Sequence, residues 1–529
     1  MLLSQLNRSL PSSSVTTIAA VSVATVAAVW LFYRGARRRR RRSPPGPPGW
    51  PLLGNLPNLP RPTFLAAHAD WRKRYGDLVS YRLGARRFVV LNSYAAVKEA
   101  LVSQEFGDVF SGRMNSNYIN SLTHGKGIVS SEGELWREHR RFALKVLRDF
   151  GFARAGTEDS IHQELQDLRD QFNTAGEAGV DTTEVLCRAI ANVISMMLFG
   201  YRAGSQDDRF EAFLAATQEN LQGGDLARFI PVGFPLLYQI PGVMRLLELL
   251  GVDVYVVQRN LKVTHGFCQM QIDAHRAQLA GVSSPNDFLD AFLMEQEKLN
   301  GRKKDHTFDD FQLKRTLTEL FVAGTDTTSN TIRWALLYAC LYPECQARVQ
   351  AEIDAQIGRD RLPEHRDRKR MPYTLAFIDE VQRFATLAPF AVLHRCPRDV
   401  EFMGYDISSD DLIMTNLYGI HHDPELWSSP EAFQPERFLA VDTGEYQPNE
   451  HLVPFGVGKR ACLGESLARQ ELFLFIAGIL QQHSARLHPD SVKNLEDIKI
   501  GSDGIVHAPG AHRIIFSARQ PQRIADDSC

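Results

Sequence analysis

The stretch Phe455-Gly456-Val457-Gly458-Lys459-Arg460-Ala461-Cys462-Leu463-Gly464 decides how this chain is read. One cysteine stands two residues after an arginine and two before a glycine, just ahead of a helix-like run from Glu465 to Gln481. Each residue type has a physical reason. Gly458 permits a tight turn, and Gly464 lets a flat ring come close to the backbone where a Cβ would intrude. Cys462 at the start of the helix feels its positive end and the nearby amides, which favours thiolate over thiol. Arg460 offers a forked donor to a carboxylate. All five fixed positions of F-x-x-G-x-R-x-C-x-G are filled, which a structural cysteine in a glycine-rich turn does not require.

The other six cysteines, Cys187, Cys268, Cys340, Cys345, Cys396 and Cys529, are scattered and never spaced as C-x-x-C. That argues against a disulfide framework or a zinc ribbon and for a cytosolic body in which they are small buried hydrophobes. The 529 residues are 44% hydrophobic and 23% charged, an ordinary globular balance, with no low-complexity linker after residue 50, so one large domain is expected. Net charge is −2, and −9 without the seven arginines between Arg34 and Arg42. A mildly acidic body excludes nucleic acid as the expected partner, and the arginine block suits anionic headgroups.

From Val15 to Tyr33 the chain is uncharged and apolar over the length of a bilayer-spanning helix. Arg34 and Arg37 to Arg42 follow at once, which predicts a retained anchor with a luminal N-terminus and a cytoplasmic body. Pro44-Pro45-Gly46-Pro47-Pro48-Gly49-Trp50-Pro51 then forms neither helix nor central strand and is read as a semi-rigid spacer. The expected boundaries are residues 1–14 luminal, 15–33 transmembrane, 34–51 a basic and Pro-rich hinge, and 52–529 the catalytic domain.

Past Trp50, Leu78 to Leu83 and Arg87 to Leu91 read as short strands around Gly84. From Ala95 to about residue 385, apolar spacing of helical period dominates, and strand-like pieces return from Ala391 to Met414 and near the C-terminus. The fold class is mainly α with a small β part. Phe229 to Val257 is apolar but broken by Pro231, Pro235 and Pro241; it suits a connection packed on the core or a lid dipping into a membrane surface.

Three further patterns carry chemistry. The helix from about Gln312 to Tyr342 has at its centre Gly324-Thr325-Asp326-Thr327-Thr328-Ser329-Asn330-Thr331, a run of poor helix formers, and such local conflict tends to sit where function needs it. Glu380-Val381-Gln382-Arg383 places opposite charges three apart on one helical face. Trp136-x-x-x-Arg140 lies on an amphipathic helix that also carries Arg137, Arg141, Lys145 and Arg148.

With these motifs in this order, the chain resembles the cytochrome P450 superfamily from the Pro-rich hinge to the C-terminus. Phe110-Ser111-Gly112-Arg113, Pro389-Phe390 leading into His394-Arg395, and Glu401-Phe402-Met403-Gly404-Tyr405 make it most similar to the microsomal animal branch. The resemblance implies a single domain holding haem b (iron protoporphyrin IX) between two long helices, with Cys462 as the axial iron ligand. It also implies that Asp326 and Thr327 relay protons during dioxygen activation. Glu380, Arg383 and the Arg437 of Pro435-Glu436-Arg437-Phe438 would form a network on the thiolate side. Arg113, Trp136, Arg140, His394 and Arg460 would hold the propionates. One departure is Ser408-Ser409-Asp410-Asp411, where that branch has Pro, Lys and Gly; it is expected to touch only a surface turn.

The implied activity is monooxygenation of a lipophilic steroid, fatty acid or xenobiotic at the endoplasmic reticulum membrane. Electrons would come from an NADPH-cytochrome reductase, with cytochrome b5 as a further candidate. Two other classes are a haem-thiolate isomerase or dehydratase of lipid peroxides and a non-catalytic haem sensor, neither of which needs the Asp326–Thr327 pair. Segments near Asn115 to Ile128, Phe229 to Val257, Thr386 to Leu393 and Gly501 to Val506 are read as the pocket.

Overall fold

The computed structural model describes residues 42–519 except 59–63, 115, 151–154, 205–206, 223–233, 235–240, 250–252, 254, 280, 282, 303–304, 410 and 503–504. The apolar segment 15–33, and with it the expected anchor, lies outside the described residues. Among those described, helix Thr182–Phe199 is long and apolar enough to cross a membrane, yet 67% of it is buried inside the protein and it packs as a core helix.

The architecture is built on helix Asp310–Leu341. Asp309 starts it by accepting the Gln312 amide at 2.9 Å, and it stops before Pro343, which opens the next helix. Nearly every face of this helix is buried. Leu313, Leu317, Phe321, Ile332 and Leu336 pack against Ile190 and Ile194 of Thr182–Phe199 and Leu472, Phe473 and Ile476 of Glu465–Gln482 in one core. Each such side chain contributes roughly 1.5–3 kcal/mol by leaving water. Gly324 at its centre packs closely on Thr182–Phe199: a Cβ there would lie 2.8 Å from Ile194 Cδ1 and would oblige that side chain to shift.

The strands are β1 (Leu78–Leu83), β2 (Arg86–Leu91), β3 (Gly112–Arg113), β4 (Val180–Asp181), β5 (His394–Arg395), β6 (Val400–Phe402), β7 (Tyr405–Ile407), β8 (Leu412–Thr415), β9 (His483–Leu487) and β10 (Arg513–Ala518). They form sheets β1-β2-β8-β5-β3, β4-β10-β9 and β6-β7 among the described residues, all antiparallel except for the β2–β8 pair. The first sheet assembles sequence-distant parts, as expected, and pairs Arg113 with His394.

The Ser408–Asp411 turn differs from expectation. Asp411 is buried and accepts from buried Arg87 Nε at 2.7 Å and from the Ser408 amide at 2.6 Å. Arg87 also donates to Ser43 Oγ and Asp406 O, both at 2.9 Å, while Ser80 donates from its amide to Pro45 O and from its hydroxyl to Pro44 O. The turn is therefore half of a buried ion pair at the start of the inner strands β2 and β8, and the Pro-rich stretch is docked on the first sheet beside it. Of the apolar stretch 229–257, helix Pro241–Leu249 is described and exposes Leu246 and Leu249.

Candidate active site

Cys462 sits in a loop that only particular glycines allow. Gly456 and Gly458 have φ of 69° and 77°, and a Cβ on Gly458 would lie 2.1 Å from Leu101 O. The Cys462 amide donates to Phe455 O at 2.8 Å, closing the loop just before helix Glu465–Gln482. A Cβ at Gly464 would meet nothing within 4 Å, so glycine there answers no need of the protein's own packing. The thiol is exposed, although protein surrounds it closely. Burial pushes it up, opposed by the Gly464 and Glu465 amides and by Arg140. The amides at the helix start favour the thiolate, as the sequence implies, but burial outweighs them; metal ligation deprotonates a coordinating thiol outright.

Around the cysteine the fold gathers positive charge. Arg140, on helix Gly133–Phe150, donates from Nη2 to Ala461 O at 2.6 Å. Arg460 lies 3.8 Å above the Trp136 ring and donates to Ser111 O at 2.8 Å and Ser131 O at 2.7 Å. Arg113 donates to Val392 O at 2.8 Å and Leu393 O at 3.2 Å, and its Nε finds no partner; neither does the buried Trp136 Nε1. Burial, then Arg113 and Arg140, holds Arg460 down at about 9, and burial with Arg140 holds Arg113 at about 10. His394 is held down at about 3 by burial and by Arg113 and Arg460, so it is neutral, with Nδ1 2.7 Å from Phe110 O. All six residues expected at the cofactor, Cys462, Arg113, Trp136, Arg140, His394 and Arg460, are brought together.

On helix Asp310–Leu341, Ala323 is exposed and Thr327, one turn on, is half-buried, in a helix otherwise almost entirely covered. Thr327 Oγ1 donates to Ala323 O at 2.6 Å. Asp326 is buried on another face; burial pushes its carboxyl up to about 6, opposed by Arg333 and Asn330. On the far side Glu380 and Arg383, both fully buried, pair through Nε at 2.7 Å and Nη2 at 2.8 Å. Arg437 Nε lies 3.0 Å from Glu380 Oε2, an ion pair without hydrogen-bond alignment, and the Gln434 amide donates to Glu380 Oε1 at 2.8 Å. Arg383 Nη1 donates to His421 O at 2.8 Å and Pro430 O at 2.9 Å.

Two largely buried acids escaped the sequence reading. Glu319 accepts from the Ile128 and Val129 amides at 2.6 and 2.8 Å and from Ser130 Oγ at 3.1 Å, tying residues 128–130 to the long helix. Glu471, fully buried, accepts from Thr328 Oγ1 at 3.2 Å. Each stands immediately before an apolar run, residues 320–323 and 472–477, the one signal of burial that the sequence offered.

Three guanidiniums that depress one another, two orphaned donors and an exposed thiol call for a flat ligand bearing carboxylates and a metal. Haem fits this donor set: its propionates would complete Arg113, Arg140, Arg460 and Trp136, and Cys462 would reach the iron. The arrangement defines a haem-thiolate protein.

The Cytochrome P450 family model matches residues 44–516. Human cytochrome P450 2C8 is 37% identical over 452 residues, covering 84% of this chain and 88% of that relative. Gorilla cytochrome P450 2F5 is 37% identical with the same coverage, and human cytochrome P450 2U1 is 34% identical over 461 residues, covering 87% and 81%. The chain belongs to the cytochrome P450 family, in its microsomal animal branch. It is a haem-dependent monooxygenase.

Proposed function

We propose that this enzyme inserts one oxygen atom of dioxygen into a lipophilic steroid, fatty acid or xenobiotic, taking electrons from an NADPH-dependent reductase, with cytochrome b5 as a second donor. The observation that carries the reading is the meeting of the Cys462 thiol with the Arg113, Arg140 and Arg460 guanidiniums, whose charge Glu132 and Glu319 only partly offset, and with the orphaned Arg113 Nε and Trp136 Nε1. When bound, haem supplies the redox chemistry of dioxygen activation. The chain does the rest. Cys462 would supply the sulfur that ligates the iron, and Arg113, Trp136, Arg140, His394 and Arg460 would hold the propionates. Thr327, whose hydroxyl donates to Ala323 O in this structure, would have to turn that proton toward the reacting oxygen, and Asp326, whose carboxyl is lifted to about 6, can hold and release a proton near neutral pH. Glu380, Arg383 and Arg437 keep the thiolate side folded.

Residues 52–529 form the catalytic domain, 34–51 join it to a single span at 15–33, and 1–14 are luminal, with the body on the cytoplasmic side of the endoplasmic reticulum. The docked Pro-rich stretch and the exposed Leu246 and Leu249 support this placement. The exposed Arg137, Arg141, Lys145 and Arg148 offer an acidic reductase a complementary surface.

The test is NADPH and dioxygen consumption by the purified enzyme with reductase, across steroids, fatty acids and drugs that shift its spin-state spectrum. Reductase-independent turnover of lipid hydroperoxides would establish the isomerase class instead, and no turnover of either kind a sensor. Thr327→Ala should keep haem content while diverting dioxygen to peroxide; undiminished product yield would remove Thr327 from the relay.

A further inference from the structure

Thr386 and Ala391, in the segment after helix Pro372–Ala385, have left-handed backbones without being glycine, with φ of 42° and 45°. Such conformations cost of order 1–3 kcal/mol each and persist only where the surroundings over-determine them. The far end of the segment is held by Arg113, through Val392 O and Leu393 O. His507 holds the near end. Its amide donates to Leu387 O at 2.7 Å, its Nδ1 lies 2.7 Å from Ala385 O, and its Nε2 lies 3.2 Å from Ile500 O. Its own carbonyl accepts from Trp334 Nε1 at 2.8 Å, and the two rings lie tilted with centroids 5.0 Å apart. His507 is 8% exposed.

One residue thus ties three elements together: the strained segment, the turn at Ile500 and Gly501, and the long helix two turns beyond Thr327. The turn is stiff in itself. Gly501 has φ of 64°, and a Cβ there would lie 2.3 Å from Ala508 O and 3.2 Å from His507 Nε2. Ser502 donates from its amide to Ala508 O at 2.9 Å and from its hydroxyl to Val506 O at 3.2 Å. Displacing the His507 ring therefore displaces the turn as a unit.

We propose that His507 is a positioning residue that fixes the separation of segments Thr386–Leu393 and Gly501–Val506, and so decides which bulky ligands the pocket admits. This rests on the reading that both segments line the pocket. Carbonyl oxygens only accept, and a neutral imidazole has one N–H, so the ring donates to one of Ala385 O and Ile500 O at a time and to both only as the imidazolium; a side chain without donors at 507 leaves neither tie.

The test uses the full-length haem-loaded enzyme and its His507→Val and His507→Gln variants. Two readouts are compared: amide hydrogen exchange in peptides covering residues 386–393 and 500–508, and affinities for imidazole and the bulky clotrimazole, read from absorption shifts. In His507→Val, exchange should quicken in both peptides while the helix 310–341 stays unchanged. Clotrimazole affinity should move by about tenfold, the size of one or two lost hydrogen bonds, with imidazole essentially unaffected. His507→Gln, which keeps a donor toward Ala385 O, should restore most of both. If the valine variant takes up no haem, His507→Asn, polar but too short to reach, carries the same comparison. Unchanged exchange in the two peptides overturns the tie itself. Quickened exchange with both ligands moving alike overturns the placement of the segments in the pocket.

Discussion

The two sides of the cysteine loop handle buried charge in opposite ways. On one side Glu380 supplies the anion for Arg383 and Arg437, and the donors left on Arg383 reach three backbone carbonyls, so the chain itself provides the counter-charge, with only Arg437 Nε out of hydrogen-bond alignment. On the other, Arg113, Arg140 and Arg460 face one another and backbone carbonyls, and burial and like charge hold Arg460 at about 9 and Arg113 at about 10 although Glu132 and Glu319 oppose the shift of Arg460. A set of charges whose counter-ion the fold supplies is a folding element. A set left with a positive excess is a binding element, because an anionic ligand relieves it.

The comparison is broken most severely at Glu380. Glu380→Ala leaves Arg383 and Arg437 buried without their anion, a loss of about 3–5 kcal/mol for a pair broken from one side. The expected outcome is no soluble haem-containing protein, checked by expression yield and absorption; a variant that folds and holds haem normally would show that the network is not structural.

Cys462→Ser should differ in kind. The Glu380 network and the loop hydrogen bond from the residue-462 amide to Phe455 O remain, so the protein should fold. The carbon monoxide adduct of its reduced form should lose the long-wavelength band diagnostic of thiolate ligation. An unchanged spectrum would remove Cys462 from the iron.

Arg140→Gln probes the side with the positive excess more gently. Glutamine can still donate toward Ala461 O but carries no charge, so apoprotein stability should hold or rise as Arg113 and Arg460 lose a like-charged neighbour. Transfer of haem to apomyoglobin should quicken about tenfold, the low end for a charge-assisted hydrogen bond. Equal destabilisation of apoprotein and holoenzyme would make the arginine structural instead.

How much of this was legible depended on whether a residue's partner lies at a fixed spacing. Cys462 was legible because its pattern is local and its chemistry is written in residue types, whereas Glu380 with Arg383 and Trp136 with Arg140 fit ordinary surface pairs by spacing alone and were singled out by the family resemblance. The core helix Asp310–Leu341 was found within two residues of its ends because apolar spacing marks it and Pro343 stops it. Asp411 was misread because its partner Arg87 is 324 positions away and a polar residue at a strand edge has no periodic signature. His507 was passed over for the same reason, since Trp334, Ala385 and Ile500 meet only in the fold. For Cys462 the sequence showed the amides that favour its thiolate but not the desolvation that opposes them.

Glu471 shows a third way to settle a buried charge, neither paired by folding nor awaiting a ligand. Fully buried, with Oε1 unpartnered and Oε2 accepting from Thr328, it is pushed up to about 8 by desolvation and holds its proton at neutral pH. The sign follows from the two states. Between its ordinary value of 4.5 and about 8, the folded chain keeps a proton that the unfolded chain has released, so this group's contribution is full below that window and falls as pH rises through it. Glu471→Gln is neutral at every pH and keeps a polar contact with Thr328. Its denaturation midpoint should therefore fall less steeply from pH 5 to 8 than that of the parent, by at most one proton, about 1.4 kcal/mol per pH unit. Parallel curves would mean that Glu471 is ionised in the folded enzyme and that an unseen partner compensates it, which would place this acid with the paired network rather than between the two sides.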